Sequence, residues 1–217
     1  MLPEFPSIPC AFRALDRNDA VVNLTGRVGA PCLMQEKVDG ANIGFGLVGG
    51  EIRLRNRNYN LNKTFRAATT ETRQFTTAWE WLAEHKQQLR ELNRAAGTTV
   101  VVYAEWLKLT HGIRYTALPD WAVAHSLFDL DNGTWLMPDE AQRLMEAVGL
   151  LFVRASAAKF TPEDIRNALE SPSDYGAEFR EGIVVTFTDR ALVKIHHPRF
   201  QRGGRPLDMR ATNLLRS

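Results

Sequence analysis

Apolar and polar residues alternate in short runs over residues 31–57, and this pattern predicts three strands. Val48-Gly49-Gly50-Glu51 separates two of them as a hairpin turn, because glycines tolerate the backbone angles of tight turns. In the last strand Ile52 and Leu54 alternate with Arg53 and Arg55, which predicts one apolar and one cationic face. The same criteria predict four more strands, at residues 98–107, 121–130, 181–188 and 191–195.

The spacing becomes helical at residues 69–96, where large apolar residues recur every three, four or seven positions: Phe75, Trp79, Leu82, Leu89 and Leu92. Gly97 ends this helix. Pro138 opens a second helix that Gly149 closes, and Thr161 caps a third that starts with proline. Three helices among many strands predict an α+β fold with antiparallel sheets.

Composition adds limits on the class of protein. The chain has 217 residues, 44% hydrophobic and 24% charged, which is typical of a soluble globular protein with one sizeable core. Cys10 and Cys32 are too few for a disulfide scaffold, so a reducing, cytoplasmic location is expected. Neither a signal peptide nor an apolar run of membrane-spanning length is present, and no linker divides residues 1–217. We expect a single domain with little regular structure before residue 30, and no membrane partner.

Two basic clusters stand out against the net charge of +2. The first contains Arg53, Arg55, Arg57, Lys63 and Arg66, and the second contains Lys194, His196, His197, Arg199, Arg202, Arg205 and Arg210. Such clusters on a nearly neutral chain indicate a local site for a polyanion. Taken alone, each cluster also fits an ordinary solvated surface.

The segment 36–42, Glu-Lys-Val-Asp-Gly-Ala-Asn, places a lysine and a carboxylate in a turn between two predicted strands. A lysine held at such a rigid edge projects into a cleft, so Lys37 is a candidate covalent nucleophile, with a plain turn lysine as the alternative. Glu105, Glu181 and Lys194 lie on other predicted strands, and buried acids are rarely tolerated without a partner or a function. If the sheets surround one cleft, these four residues converge there. Simple ion pairing among them is the alternative.

These residues are part of an ordered set of motifs, through which the sequence resembles the covalent nucleotidyltransferase superfamily of ATP-dependent ligases and capping enzymes, in its RNA-ligase branch of the editing-ligase type. The motifs are Lys-Val-Asp-Gly at 37–40, Arg-Leu-Arg-Asn-Arg-Asn at 53–58, Tyr-Ala-Glu-Trp at 103–106, an aromatic strand at 121–129, Glu-Gly-Ile-Val at 181–184 and Val-Lys at 193–194. Glu36, Asn42 and the segment 105–120 match RNA ligases better than DNA ligases. The resemblance covers about residues 5–200.

The resemblance implies an adenylyltransferase domain of the ATP-grasp-like ligase type, with antiparallel sheets around a nucleotide cleft and flanking helices. It implies an ATP-dependent RNA ligase that adenylylates itself on Lys37, transfers AMP to a 5′-phosphate end and seals that end to a 3′-OH. ATP and Mg²⁺ or Mn²⁺ are the implied cofactors. RNA ends are the implied partner, with DNA and an accessory protein as further candidates. No appended OB-fold or helical domain is expected after Lys194.

The implied catalytic residues are Lys37, Lys194 and Asn42. Lys194 would favour the neutral form of the nucleophile and stabilise charge on the α-phosphate. Asn42 corresponds to a residue that acts at the AMP phosphate during sealing. Glu181 is implied to position the lysine or a metal ion.

The remaining implied ligands bind the nucleoside and the nucleic acid. The resemblance places Glu36 beside the adenine, and Arg55 and Glu105 near the ribose. Contacts to nucleic acid are assigned to basic residues outside these motifs or at their edges: Arg53, Arg57, Arg199, Arg202 and Arg205.

Two positions depart from the family pattern. Either His125 stacks on the adenine, or the strand shifts and Phe128-Asp129 takes that place, and we favour His125. His196 stands where many relatives have a second lysine, so activity is expected to depend on pH. A DNA nick ligase, a stand-alone adenylyltransferase and a nucleotide- or RNA-binding module without chemistry are the alternative functions.

Overall fold

The computed structural model describes residues 1–11, 20–61, 74–200 and 208–216. The first strands are β1 (Pro31–Lys37), β2 (Ala41–Val48), β3 (Glu51–Asn56), β4 (Asn60–Leu61), β5 (Val100–Trp106) and β6 (Leu109–Thr110). The others are β7 (Ala122–Asp129), β8 (Thr134–Trp135), β9 (Ala155–Lys159), β10 (Gly182–Phe187), β11 (Leu192–His196) and β12 (Asp208–Thr212). The helices are α1 (Thr76–Glu84), α2 (Lys86–Ala96), α3 (Pro138–Ala147) and α4 (Pro162–Glu170), with one 3-10 turn at Thr25–Arg27.

The strands form two main antiparallel sheets. One has six strands in the order β4-β3-β2-β5-β7-β8, and the other has four in the order β11-β10-β1-β9. Strands β12 and β6 form a separate pair. Strand β1 belongs to the four-stranded sheet and β2 to the six-stranded sheet, so the turn between them joins the two sheets. The predicted α+β class with antiparallel sheets is confirmed.

Helices cover one face of each main sheet. On the six-stranded sheet, α1, α2 and α3 bury apolar side chains such as Leu82, Leu92 and Met145 in the largest core among the described residues. On the four-stranded sheet, α4 contributes Ile165 and Leu169 to a second core. Because each sheet buries one face under helices, the opposite faces are left to border the cleft described below.

The helix predicted over 69–96 is two helices where the structure describes it, and residues 69–73 lie outside the described part. His85 interrupts it with φ −94° and ψ 11°, and its ring stacks on Trp81 with centroids 4.0 Å apart. Gly97 ends α2 in the left-handed region at φ 68°, as predicted. Strand β9 was not predicted, because its sequence Ala-Ser-Ala-Ala-Lys has neither large apolar residues nor a clear alternation.

The predicted cationic face of β3 is only partly correct. Arg53 is exposed, but Arg55 is buried at 5% exposure. The Arg55 guanidinium donates to the backbone carbonyls of Leu2 at 3.1 Å, Asn56 at 3.0 Å and Arg57 at 3.0 Å. Arg55 therefore fastens the N-terminal segment to the sheet instead of presenting a free charge.

Residues 2–11 connect the two main sheets beside the cleft. The Tyr103 hydroxyl donates to the Pro3 carbonyl at 2.6 Å on the six-stranded sheet. On the other sheet, the Lys194 amide donates to the Pro9 carbonyl at 2.9 Å, and the Ala11 amide donates to the Lys194 carbonyl at 3.0 Å. Across the described ranges, no helix has both the length and the apolarity required to cross a bilayer.

Candidate active site

Lys37 is the last residue of β1, at the edge where the chain turns into β2. The turn is held by Asp39, whose carboxylate accepts from the Ile113 amide at 2.9 Å and whose amide donates to the Tyr115 hydroxyl at 2.8 Å. A Cβ on Gly40 would come within 2.6 Å of the Leu107 side chain, so the turn leaves no room for a larger residue. Lys37 therefore projects from a rigid turn, as the sequence predicts.

Lys37 is paired with Glu181. Its Nζ lies 2.7 Å from Glu181 Oε2, and the Glu181 side chain is only 2% exposed. Burial lowers the pKa of Lys37, but the carboxylates of Glu181, Glu105 and Asp39 outweigh burial and hold that pKa above its ordinary value. In the absence of a ligand the nucleophile is therefore a charged ammonium group.

Lys194 lines the same cavity as Lys37 and is 8% exposed. The sequence led us to expect that this second cation lowers the pKa of Lys37. The structure corrects this expectation for the ligand-free site, because the groups that dominate there are carboxylates and they raise the pKa. Lys194 nevertheless faces the cleft, since it pairs with Val184, which lines the cavity too.

Asn42, Glu105 and His125 form the opposite wall. Asn42 Nδ2 lies 3.3 Å from His125 Nε2, and His125 Nε2 lies 3.9 Å from Glu105 Oε1. Burial raises the pKa of Glu105 to about 8, although the nearby Lys37 opposes this shift. Burial also lowers the pKa of His125 to about 3, with Lys37 acting in the same direction. At neutral pH the imidazole is therefore uncharged.

A β-bulge turns His125 towards the cleft. Tyr103 pairs with Ser126 and Ala104 pairs with Ala124, so the intervening His125 has no residue opposite it on β5. Such an extra residue locally changes the alternation of side chains along a strand, and bulges frequently occur near functional sites.

The alternative position, Phe128-Asp129, lies outside the cavity. The Phe128 ring packs against Trp135 with centroids 4.9 Å apart. The Asp129 carboxylate accepts from the Thr98 hydroxyl at 2.7 Å and from the Asn132 side chain at 2.7 Å. Of the two candidates for base stacking, the structure therefore brings only His125 to the cleft.

Glu36 does not direct its carboxylate at the cleft, and its expected place beside the adenine stays a prediction. Side chains alternate along a strand, so the side chains of Glu36 and Lys37 project from opposite faces of β1. Its carboxylate accepts from Ser173 Oγ at 2.6 Å and from the Asp174 amide at 3.0 Å, and it lies 3.4 Å from Arg180 Nε. The carboxylate is thus fully engaged, although the residue borders the cleft.

Gln35 is a cleft residue that the sequence analysis missed. It lies two positions before Lys37 on the same face, and its amide donates to the carbonyls of Val153 at 3.1 Å and His125 at 3.4 Å. A buried glutamine between strands links the four-stranded sheet to the bulge. The spacing of two residues between Gln35 and Lys37, which puts both side chains on one face of the strand, was the signal that could have revealed it.

The basic residues assigned to nucleic acid differ in their surroundings. Arg57 lines the lysine-containing cavity, whereas Arg55 does not. Arg199 is exposed but ion-paired with Glu178 and placed over the Phe179 ring at 4.6 Å, so its charge is partly compensated. Four more of the assigned or clustered residues, Lys63, Arg66, Arg202 and Arg205, lie outside the described residues, as does the side chain of Arg210.

Two adjoining cavities occupy the cleft. The first, the lysine cavity, has a volume of about 120 Å³ and is lined by residues including Lys37, Asn42, Arg57, Glu105 and Lys194. The second, the tryptophan cavity, has a volume of about 240 Å³ and is lined by residues including Gln35, Trp135, Met137, Thr186 and Leu192. Four residues border both cavities: Ile8, Glu36, His125 and Val184. The cleft therefore has a charged part and a more apolar part, and these four residues lie where the two parts meet.

The carboxylates fit a metal ion that arrives with its ligand. In the described part of the chain, no three His, Cys, Asp or Glu side chains form a ready metal cluster. Glu181 instead pairs with Lys37, and His196 Nε2 lies 3.7 Å from Glu181 Oε1. Mg²⁺ typically binds one or two carboxylates together with substrate phosphates, and Glu105 and Glu181 can supply that number.

Known proteins resemble this chain in sequence and in fold. A model of the RNA ligase family matches residues 30–198. The fold is similar to Naegleria gruberi RNA ligase, in a mutant with ATP and Mn (TM-score 0.55, 17% identity, 79% of this chain and 50% of that one). It is also similar to a mutant of that enzyme with AMP and Mn (TM-score 0.56, 17%, 80% and 51%) and to the enzyme with PPi (TM-score 0.55, 16%, 90% and 61%).

This chain spans about half the length of the first of these structures. A comparison with curated proteins found no match. The family model covers well over half of the chain, and it includes both lysines of the cleft, Lys37 and Lys194. The chain therefore belongs to the RNA ligase family.

Proposed function

We propose that this protein is an ATP-dependent RNA ligase that forms a covalent bond between Lys37 and AMP. The observation that carries the proposal is the placement of Lys37 Nζ, which projects from a rigid turn into a cavity containing a second lysine and joined to an apolar cavity. A simple binding site has no need of a lysine fixed in this way. The Naegleria gruberi enzyme, which shares the fold, has been solved with ATP, AMP and PPi.

The proposed reaction has three steps. Neutral Lys37 Nζ attacks the α-phosphorus of ATP, the bond to the β-phosphate oxygen breaks, and pyrophosphate leaves. The phosphate oxygen of an RNA 5′ end then attacks the same phosphorus and releases the lysine. Finally a 3′-OH attacks the activated 5′-phosphate, and AMP leaves as the phosphodiester bond forms.

The cleft residues have distinct parts in these steps. In this proposal Lys194 stabilises charge on the α-phosphate, and Asn42, on the opposite wall, holds the AMP phosphate during sealing. Before the first step Lys37 must lose a proton, and the adjacent Glu181 carboxylate is the nearest acceptor at 2.7 Å. When bound, Mg²⁺ supplies charge neutralisation at the phosphates, and Glu181 or Glu105 would hold it.

A labelling experiment tests the covalent step. Protein treated first with pyrophosphate, to remove any AMP already attached, is incubated with Mg²⁺ and ATP labelled at the α- or γ-phosphate. Label retained on a denaturing gel from the α but not the γ position, with the mass increase of AMP, is the expected result. RNA and DNA nicks of otherwise equal sequence then identify the substrate. No retained label, together with binding of RNA that weakens with salt, would instead indicate a binding module.

We also propose that Arg57, not Arg55, contacts the nucleotide. Arg57→Ala is expected to reduce ATP-dependent labelling at subsaturating ATP by about tenfold without lowering thermal stability, because Arg57 is exposed and lines the lysine cavity. Arg55→Ala is the matched control, and it should lower the melting temperature because three backbone carbonyls lose their donor. The reverse pattern of effects would instead indicate that Arg55 contacts the ribose, as the sequence predicts.

The first step is expected to accelerate with pH. Because the carboxylates hold the pKa of Lys37 above its ordinary value, the neutral fraction rises roughly tenfold per pH unit below that pKa. We therefore expect the single-turnover labelling rate to rise by close to that factor per unit between pH 7 and 9 at low Mg²⁺. Higher Mg²⁺ should flatten the profile by neutralising the carboxylates. A rate independent of pH at all Mg²⁺ concentrations would contradict a protonated resting lysine.

A further inference from the structure

Thr186 has a buried hydroxyl without a hydrogen-bond partner among the described residues. The residue lies on β10 and is 4% exposed. A hydroxyl removed from water without a partner costs free energy, so buried hydroxyls in folded proteins are nearly always paired. An unpaired one in a cavity wall indicates that a ligand or a water molecule completes it.

This hydroxyl belongs to the face of β10 that borders the cleft. Thr186 pairs with Leu33 and Leu192, and its neighbour on the same face, Val184, pairs with Gln35 and Lys194. Residues of the opposite face of β10, such as Ile183, are in the core under α4. Thr186 accordingly lines the tryptophan cavity.

Other polar side chains that line the tryptophan cavity already have partners. Gln35 donates to two backbone carbonyls, and Ser126 Oγ lies 3.0 Å from His125 Nδ1. Arg190 donates to the Trp135 carbonyl at 2.9 Å. Thr186 thus differs from these three in having a hydroxyl still available to a ligand.

The spacing along β10 matches the length of a nucleotide. Gly182 pairs with Lys37, and Thr186 lies four residues further along the strand, which corresponds to about 13 Å at 3.3 Å per residue. Val184 lies halfway along this span, and both Val184 and His125 border the two cavities. A nucleotide with its α-phosphate at Lys37 and its base between Val184 and His125 would direct the far edge of the base at Thr186.

We propose that Thr186 recognises the polar edge of the purine base of ATP in the tryptophan cavity, an inference that rests on the proposed function of the cleft. The Thr186 hydroxyl can both donate and accept, so it can pair with an amino group or a ring nitrogen of the base. The apolar walls strengthen that hydrogen bond by excluding water. A base without a hydrogen bond to this hydroxyl leaves it buried and unpaired, which lowers the affinity for that nucleotide.

Thr186→Val separates this role from a structural one. Valine has nearly the same shape but lacks the hydroxyl, so the ligand-free protein should melt at the same or a higher temperature. ATP affinity, measured by calorimetry without divalent metal after pyrophosphate treatment, should fall about three- to tenfold. Thr186→Ser keeps the hydroxyl and should retain most of the affinity. Inorganic tripolyphosphate, which has no base, should bind both variants as it binds the unmodified protein.

Two results would overturn the proposal. If the ATP affinity of Thr186→Val is within twofold of that of the unmodified protein, then only water forms a hydrogen bond with the Thr186 hydroxyl. An equal loss of tripolyphosphate affinity would mean that the substitution disturbs the whole cleft. Because these are binding measurements, they are independent of covalent labelling, so absence of lysyl-AMP would contradict the ligase function without deciding the role of Thr186.

Discussion

Replacement of Lys37 by alanine is expected to abolish covalent attachment of AMP, with the labelling rate falling by at least about a thousandfold. The reason is chemical, since Nζ is the atom that forms the bond to phosphorus in the proposed first step. Overall joining of RNA 5′-phosphate ends should be lost together with the label. Gel detection of α-labelled protein and intact mass measure this directly.

Two further variants separate loss of chemistry from loss of fold. Lys37→Arg keeps a positive charge beside Glu181, whose side chain is 2% exposed, but a guanidinium is not a nucleophile at neutral pH. It should therefore remain folded and unlabelled. Lys159→Ala removes an exposed lysine at the far end of the neighbouring strand and should be labelled normally. Label on Lys37→Arg would place the covalent bond on another residue.

Glu36→Ala is expected to destabilise the protein by roughly 3–5 kcal/mol, as removal of one partner from a buried, hydrogen-bonded ion pair typically does. The carboxylate accepts hydrogen bonds from Ser173 and Asp174 and forms an ion pair with Arg180, and each of these would lose a partner. Denaturant unfolding monitored by tryptophan fluorescence measures the change. In the fraction that remains folded, ATP affinity should change little, because the carboxylate projects from the face of β1 that is turned away from the cleft.

A matched control for this prediction is Asp174→Ala. Asp174 is near the same Arg180 guanidinium at 3.8 Å, but its side chain is 47% exposed. Exposed pairs contribute little, so this variant should lose less than about 1 kcal/mol. If Glu36→Ala were as stable as Asp174→Ala yet bound ATP much more weakly, the carboxylate would have to reach the base.

The sequence was sufficient to predict that the chemical groups meet. Lys37, Glu105, Glu181 and Lys194 each occupy a strand or a strand end, and the structure brings all four to one cleft as expected. The order of the motifs along the chain carries this information, because proteins of one fold share the order and the direction of their strands. Apolar cores also follow from the pattern, since alternation and helical spacing report which faces are buried.

The direction of individual side chains was harder to predict. Glu36 and Lys37 are neighbours, yet strand parity sends their side chains to opposite faces, and the motif itself does not state which face borders the cleft. Arg55 was assigned to a cationic face, but the carbonyls that bind it come partly from Leu2, far away in sequence. The break at His85 depends on a ring stacked on Trp81, a contact that helical periodicity does not encode.

The bulge at His125 has a consequence for how relatives of this protein are compared. A single extra residue in β7 shifts the register against β5 by one, while the strands stay paired on both sides of it. Insertion or deletion of one residue at this position during evolution would change which side chain of β7 faces the cleft. Alignments of this segment should therefore match residues by the face they occupy, and the lining of the cleft can differ here between proteins whose remaining motifs are identical.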